Sequence, residues 1–556
     1  MRKFILLWIC LSMAHGLGAQ PPDCYRVYLH DKNNNSYSIR YPQAFLSPRA
    51  LAKRARFAIP VTVQDLPISP TYIALILRQG VQVQLLSKSK WTNTITIYCN
   101  ETAALTAIAA LPFVDSLIPV GRFSSFPFYK SGAEPLNNHN LLLQNVLQDN
   151  ISIDTACYGD AFTQIAMHNG HLLHNAGFRG EGMLIAVIDA GWHAFSSVTF
   201  VQEMIRNGQL KGAYDLLPGN LSNLYNMSGH GIAVASVMAK RQPNVMVGTA
   251  PNARYLFIRS ENVNTEEPIE EDFWATAAEL ADSLGADVIN SSLGYTTFPD
   301  FPEQPITYAN NNGTWSVASR AAAIAVQKGI IVCVSAGNNG NGEFRYVGRP
   351  ADAVGILAVG AVYSDSITVY FSSIGPSYDG RVKPDVAAMG SGTTVVNPYP
   401  EQGEVITQSA GTSFAAPVIA GLSACLWQAL PALSASQIMK IIRESGHQYN
   451  APDSAQGYGI PDFYRAYLLY HTASPKIKEV LAYPNPCKSI CNIIDNQGNF
   501  VKLDLYDISG RLQYTQLFTS IYLHQIDVSR LRTGIYIAQI TTRDNSYRRF
   551  KLVVTR

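Results

Sequence analysis

Short apolar runs punctuate the middle of the chain. Met183–Ile188 (MLIAVI), Arg254–Ile258 (RYLFI), Asp287–Asn290 (DVIN), Ile330–Val334 (IIVCV) and Ile356–Val359 (ILAV) are dominated by aliphatic residues with little polar alternation. Runs of that kind fit strands buried on both faces. Stretches of helical spacing fall at 231–239, 271–284, 317–328, 413–430 and 434–445. This alternation over 151–472 predicts an α/β domain: a doubly wound, mainly parallel sheet with helices on both faces.

The flanks read differently. In 20–120, CYRVYL, VQVQLL and TITIYC predict strands, ETAALTAIAALP a helix and VDSLIPV a further strand, together a small α+β domain. Residues 121–150 have no clear period and predict a loop or linker, so 20–150 is taken as one N-terminal unit. Residues 473–480 (ASPKIKEV) predict a second linker. Over 481–556, strands such as VKLDLYDI, GIYIAQIT and FKLVVT alternate with turns such as SGR and RTG, which predicts a C-terminal antiparallel β-sandwich.

Composition adds that 47% of residues are hydrophobic and 15% charged, which supports large cores and excludes global disorder. The net charge of +2 conceals a division: residues 20–150 carry +5, 151–472 carry −11 and 473–556 carry +6. An acidic body between two basic flanks argues against a nucleic-acid-binding core. Arg2 and Lys3, the apolar run Phe4–Leu11 and the small residues up to Ala19 predict a secretory signal over 1–19. No other stretch is apolar for about 18 residues, so no integral membrane segment is expected in the mature form. Eight cysteines in 556 residues make no disulfide scaffold, and the lack of a CxxC pair argues against a cysteine-rich zinc site.

Three segments of the middle domain carry chemistry. AVIDAG ends an apolar strand on Asp189, and functional groups collect at the carboxyl ends of parallel strands. SGHGIAVASVMA places His230 between two glycines at the start of a helix. SAGTSFAAPVIAG brings Ser413 to a helix N-terminus, where free amides favour developing negative charge, and Pro417 is tolerated near the first turn. Taken singly, each has a plain structural reading: a turn aspartate, a turn histidine and an N-capping serine. Together, in the order Asp189, His230, Ser413, they resemble the subtilase family of serine proteases. Tyr158-Gly159 with Gln164-Ile165, NSSLG (290–294), SAGNNG (335–340) and KPDVAA (383–388) extend the resemblance over roughly 156–470.

The resemblance implies a subtilisin-like fold and a serine endopeptidase. His230 would take the Ser413 proton and pass it to the leaving amine, with Asp189 fixing the imidazole tautomer. Asn338 and the Ser413 backbone N–H would bind the oxyanion, Asn339 being a neighbouring candidate. Ser292, Leu293 and Gly294 would pair a protein or peptide substrate as an added strand. Ile232 and Ala233 depart from the family pattern after the His-Gly pair, and Ala190 stands where serine or threonine is common; none removes a catalytic group. A binding protein on the same scaffold would not need all three triad positions filled, and an esterase would carry GxSxG, which GTSFA does not match.

The N-terminal unit sits where subtilases carry a propeptide, an intramolecular inhibitor whose +5 would dock on the −11 domain. AYPNP (482–486), LYDISGR (505–511), DVSRLRTGIYIAQI (527–540) and KLVV (551–554) resemble the sorting domain of type IX secretion cargo. That resemblance implies partnership with the secretion machinery and export through the periplasm of a Gram-negative cell to the surface or beyond. The chemistry requires no cofactor. Structural calcium is common in the family, but no calcium loop maps here residue by residue, so no metal ligand is assigned. The acidic run Glu266, Glu267, Glu270, Glu271, Asp272 is expected to face solvent at a helix start.

Overall fold

The computed structural model describes residues 22–122, 155–193, 195–218, 228–399, 404–472, 481–483, 485–494, 500–518 and 523–555. The signal segment, almost all of the first linker and the second linker lie outside the described residues. The chain forms two compact units. One holds the described residues through Gln428 together with Leu433–Pro461; the other holds Ala429–Ala432 and Asp462 onward.

In the first unit the N-terminal region builds a four-stranded antiparallel sheet in the order Gln84–Ser89, Thr94–Tyr98, Cys24–Leu29, Val114–Gly121. Side chains alternate between its faces. Val27, Ile95 and Ile97 meet Ile76 of the helix Pro70–Leu77 and Ile108 of the helix Thr102–Ala109. On the opposite face Arg26 and Ser87 meet the helix Ile269–Leu284 of the middle domain. VQVQLL is only partly a strand: the strand begins at Gln84, and Val81 is 98% exposed.

The middle domain is built on a seven-stranded sheet. Its order is Val386–Met389, Leu357–Val362, Ile331–Ser335, Val288–Ser291, Leu184–Asp189, Arg254–Arg259, Leu210–Asp215, and every adjacent pair is parallel. The strands from Leu184 to Arg259 run to one side and the later strands to the other. The order therefore reverses between Leu184–Asp189 and Val288–Ser291, the kind of switch point where open α/β sheets form their clefts. Helices His230–Ala239, Ile269–Leu284, Val317–Gln327, Thr412–Ala429 and Ala435–Glu444 match the predicted periods within two residues at each end. Thr412–Ala429 is long and apolar enough to cross a membrane, but it is buried as a core helix.

The second unit contains the helix Phe463–Thr472 and two antiparallel sheets. One runs Leu481–Tyr483, Ile490–Ile494, Leu523–Asp527; the other runs Leu512–Leu517, Phe500–Asp507, Gly534–Thr542, Tyr547–Val554. Leu503, Leu505, Ile526, Ala538, Ile540 and Leu552 form their common core, as a sandwich requires.

Candidate active site

The carboxyl ends of neighbouring strands gather the predicted residues. Asp189 is the last residue of its strand and is fully buried. Its Oδ1 accepts from Ala190 N at 2.8 Å and lies 2.7 Å from His230 Nδ1. Asp189 Oδ2 is buried without a hydrogen-bond partner among the described residues, and the Ala190 side chain that follows it has no donor to offer. His230 opens its helix, and the following glycine is sterically required: a Cβ on Gly231 would fall 2.6 Å from the Gly191 carbonyl oxygen. Burial alone would lower the His230 pKa. The charge and hydrogen bond of Asp189, with the charge of Glu261 behind them, outweigh it and hold the imidazole above its ordinary value.

Ser413 stands in the first turn of Thr412–Ala429, 8% exposed, with the Phe414 ring 5.9 Å from the His230 ring. Its hydroxyl donates to the Ser292 carbonyl at 3.3 Å, so in this conformer no hydrogen bond joins it to His230. Ser292 Oγ donates in return to the Ser413 carbonyl at 2.7 Å. Pro417, four residues on, has no N–H to give that carbonyl, so the helix leaves it open for Ser292. Asn290 Nδ2 supports Ser292 Oγ at 3.3 Å.

Asn338 lies in the loop after Ile331–Ser335. Its side-chain oxygen accepts from Thr412 N and Thr412 Oγ1, both at 2.9 Å, which orients the amide NH2. Gly411, at φ +150°, leaves room beside it: a Cβ there would lie 3.7 Å from both Asn338 Nδ2 and Ser413 N. Two donors thus border one small space. Asn339 is engaged elsewhere, its Nδ2 donating to Thr296 Oγ1 at 3.1 Å. Leu293 is buried in the main core, while Gly294 is exposed beside it.

The acidic run does not face solvent as expected. Glu267, Glu270, Glu271 and Asp272 are each at most 3% exposed. Three of them are accounted for by partners: Asp272 bonds Arg26 at 2.7 Å, Glu271 bonds Arg349 at 3.2 Å, and Glu267 accepts from Arg122 N at 3.2 and 3.1 Å. Arg26 and Arg122 belong to the N-terminal unit, and Arg54–Asp282 and Lys328–Asp65 add buried pairs across the same interface. Glu261, Glu266 and Glu270 form a separate group. Burial first, then the charges of Glu266 and Asp189, push Glu261 up to about 8; burial and the charge of Asp300 push Glu266 to about 7; burial and the charges of Glu261, Glu266 and Glu267 push Glu270 well above its ordinary value. Glu261 is a residue near the dyad that the motifs did not reveal. The NSSLG motif named Ser292 for backbone pairing with substrate, but neither its hydroxyl's bond to the Ser413 carbonyl nor Thr412's hold on Asn338 was read from the sequence.

Comparison with known proteins agrees with this organisation. The profile of the subtilase family matches residues 180–459, that of the peptidase S8 propeptide domain of Bacteroidota matches 24–130, and that of the secretion system C-terminal sorting domain matches 481–555. Subtilisin DY of Bacillus licheniformis is 29% identical over 267 residues, covering 47% of this chain and 82% of its own. Subtilisin Savinase of Lederbergia lenta is 26% identical over 273 residues, covering 49% and 86%. Among solved structures, a protease from Pseudoalteromonas arctica is similar with 21% identity and a TM-score of 0.43, covering 56% of this chain and 99% of its own. The chain belongs to the subtilase family of serine proteases, with an S8 propeptide domain of the Bacteroidota type before the catalytic domain and a secretion-system sorting domain after it.

Proposed function

We propose that the protein is a secreted endopeptidase that cleaves peptide bonds through Asp189, His230 and Ser413 with an acyl-enzyme intermediate. The observation that carries this reading is the 2.7 Å contact between buried Asp189 and His230 Nδ1, which leaves Nε2 as the base. Rotation of the Ser413 hydroxyl away from the Ser292 carbonyl toward Nε2 precedes attack; catalytic hydrogen bonds often tighten only with substrate bound. His230 takes the hydroxyl proton as Ser413 Oγ bonds the scissile carbonyl carbon. Asn338 Nδ2 and Ser413 N stabilise the oxyanion, and His230 then protonates the leaving amine. Water repeats the sequence on the acyl-enzyme and regenerates the serine. Ser292, Leu293 and Gly294 serve as the substrate-pairing strand.

The N-terminal domain acts as the enzyme's own inhibitor. The C-terminal domain addresses the protein to the type IX machinery for export through the periplasm of a Gram-negative cell. Exposure to a mixed peptide library tests the catalytic reading: the processed protein should cut internal bonds, and Ser413→Ala should cut none. Peptide cleavage by Ser413→Ala at the wild-type rate would refute it.

A further inference from the structure

We propose that Glu261, Glu266 and Glu270 form a divalent-cation site, suited to calcium, beside the Asp189–His230 pair. One carboxylate oxygen from each of the three lies within 4.8 Å of the other two. Two oxygens bonded to one calcium at about 2.4 Å can be at most about 4.8 Å apart, so no pair in the group is too far apart for one ion to bridge. Two further observations point to a ligand. Glu270 is 1% exposed, and among the described residues no side chain pairs with either of its carboxylate oxygens, the Asn262 backbone being the one hydrogen-bonding group beside them. Tyr295, from outside the acidic run, is fully buried with a hydroxyl that has no hydrogen-bond partner among the described residues, and the charges acting on that hydroxyl are, in order, Glu261, Glu270, Glu266 and Glu271.

Among the described residues, the protein's cations around this group are engaged elsewhere. The positive groups facing it are Arg259, Arg349 and His230. Arg259 bonds Asp215 at 3.0 Å, Arg349 bonds Glu271 at 3.2 Å, and His230 bonds Asp189. Asp300 instead adds a fourth acid near Glu266. An all-oxygen, all-carboxylate donor set with no histidine or cysteine selects a hard cation over zinc or copper. Calcium accepts such irregular oxygen sets, whereas magnesium demands near-octahedral geometry and keeps several waters.

The site ties catalytic strand, loop and helix together. Glu261 follows the strand Arg254–Arg259, Glu266 lies in the connecting loop, and Glu270 is in the first turn of Ile269–Leu284. In the precursor this loop is also gripped from the N-terminal unit, through Arg122 N and Glu267. The ion takes over that anchoring when the propeptide leaves.

The test uses the full chain carrying Ser413→Ala to prevent self-digestion. Calcium content is measured after equilibrium dialysis, and thermal unfolding is followed in EDTA and in calcium chloride. Glu270→Gln and Glu266→Gln should each bind one calcium fewer than the parent. At about a hundredfold excess over Kd, calcium should raise the parent's Tm by roughly 5 °C, and each variant's rise should be at most half of that. In EDTA, Glu270→Gln should be no less stable than the parent, because one of three crowded carboxylates is gone. Equal calcium content and equal Tm rises in parent and variants would overturn the proposal. Should Glu270→Gln fail to fold, Glu266→Gln, only partly buried, carries the comparison by the same two readouts.

Discussion

Glu279 is the place where the propeptide interface concentrates its cost. Its carboxylate accepts from Ser89 Oγ at 2.5 Å, Lys90 N at 2.8 Å and Trp91 N at 2.9 Å, and the residue is 6% exposed. Replacing it with alanine strands two buried backbone N–H groups, each costing about 1–3 kcal/mol, while the serine hydroxyl can rotate to another acceptor. A net loss of about 3 kcal/mol weakens association roughly a hundredfold, at about 1.4 kcal/mol per tenfold. The assay is inhibition of the processed enzyme by a separate polypeptide of residues 22–122, comparing the unaltered enzyme with its Glu279→Ala variant. Ser89, Lys90 and Trp91 leave with the N-terminal domain, so Glu279→Ala should change the stability of the processed form by no more than about 0.5 kcal/mol. An inhibition constant unchanged within about threefold, with the variant normally folded, would refute the assignment of this glutamate as the interface's main acceptor.

Other outcomes follow from the same structure. Asn338→Ala should lower kcat by about 10²–10³, the scale seen when an oxyanion-hole donor is removed from another subtilase, with little change in KM, because the oxyanion exists mainly beyond the ground state. As the proposed base His230 would act in its neutral form, and its pKa is held above the ordinary 6.5, so the acid limb of kcat/KM should lie above that value and activity should be lost as pH falls through it; a limb below pH 6 would contradict the proposed role. A chain ending near Ala473 should still cleave peptides when made with its propeptide but collect in the periplasm of the native host, as fractionation with an activity assay would report.

What the sequence made legible depended on how each element is buried. The central strands were readable because both of their faces are apolar, as in Leu184–Asp189 and Ile331–Ser335. The helix Pro48–Arg56 was not, because its buried face includes Lys53 and Arg54, the latter neutralised by Asp65 and Asp282. Paired charges leave no apolar period to detect. The same physics concealed the acidic run: Asp272 and Glu271 are buried because Arg26 and Arg349, 246 and 78 residues away in sequence, meet them in space. Edge elements such as Leu210–Asp215 and Ile406–Ala410, with mixed polar and apolar positions, gave no strand signal. At the site, local motifs marked the catalytic candidates. The direction of the Ser413 hydroxyl and the approach of Glu261 depend on contacts between distant segments, which no local pattern encodes.

The most direct test of the account is covalent labelling with a serine-directed fluorophosphonate, the adduct being located by mass spectrometry of the processed protein. An activated serine beside His230 should place a single adduct on Ser413, absent from Ser413→Ala and strongly slowed in His230→Ala, with peptide hydrolysis lost in parallel. Adduct formation on another serine, or hydrolysis that persists while Ser413 is fully blocked, would contradict the central claim.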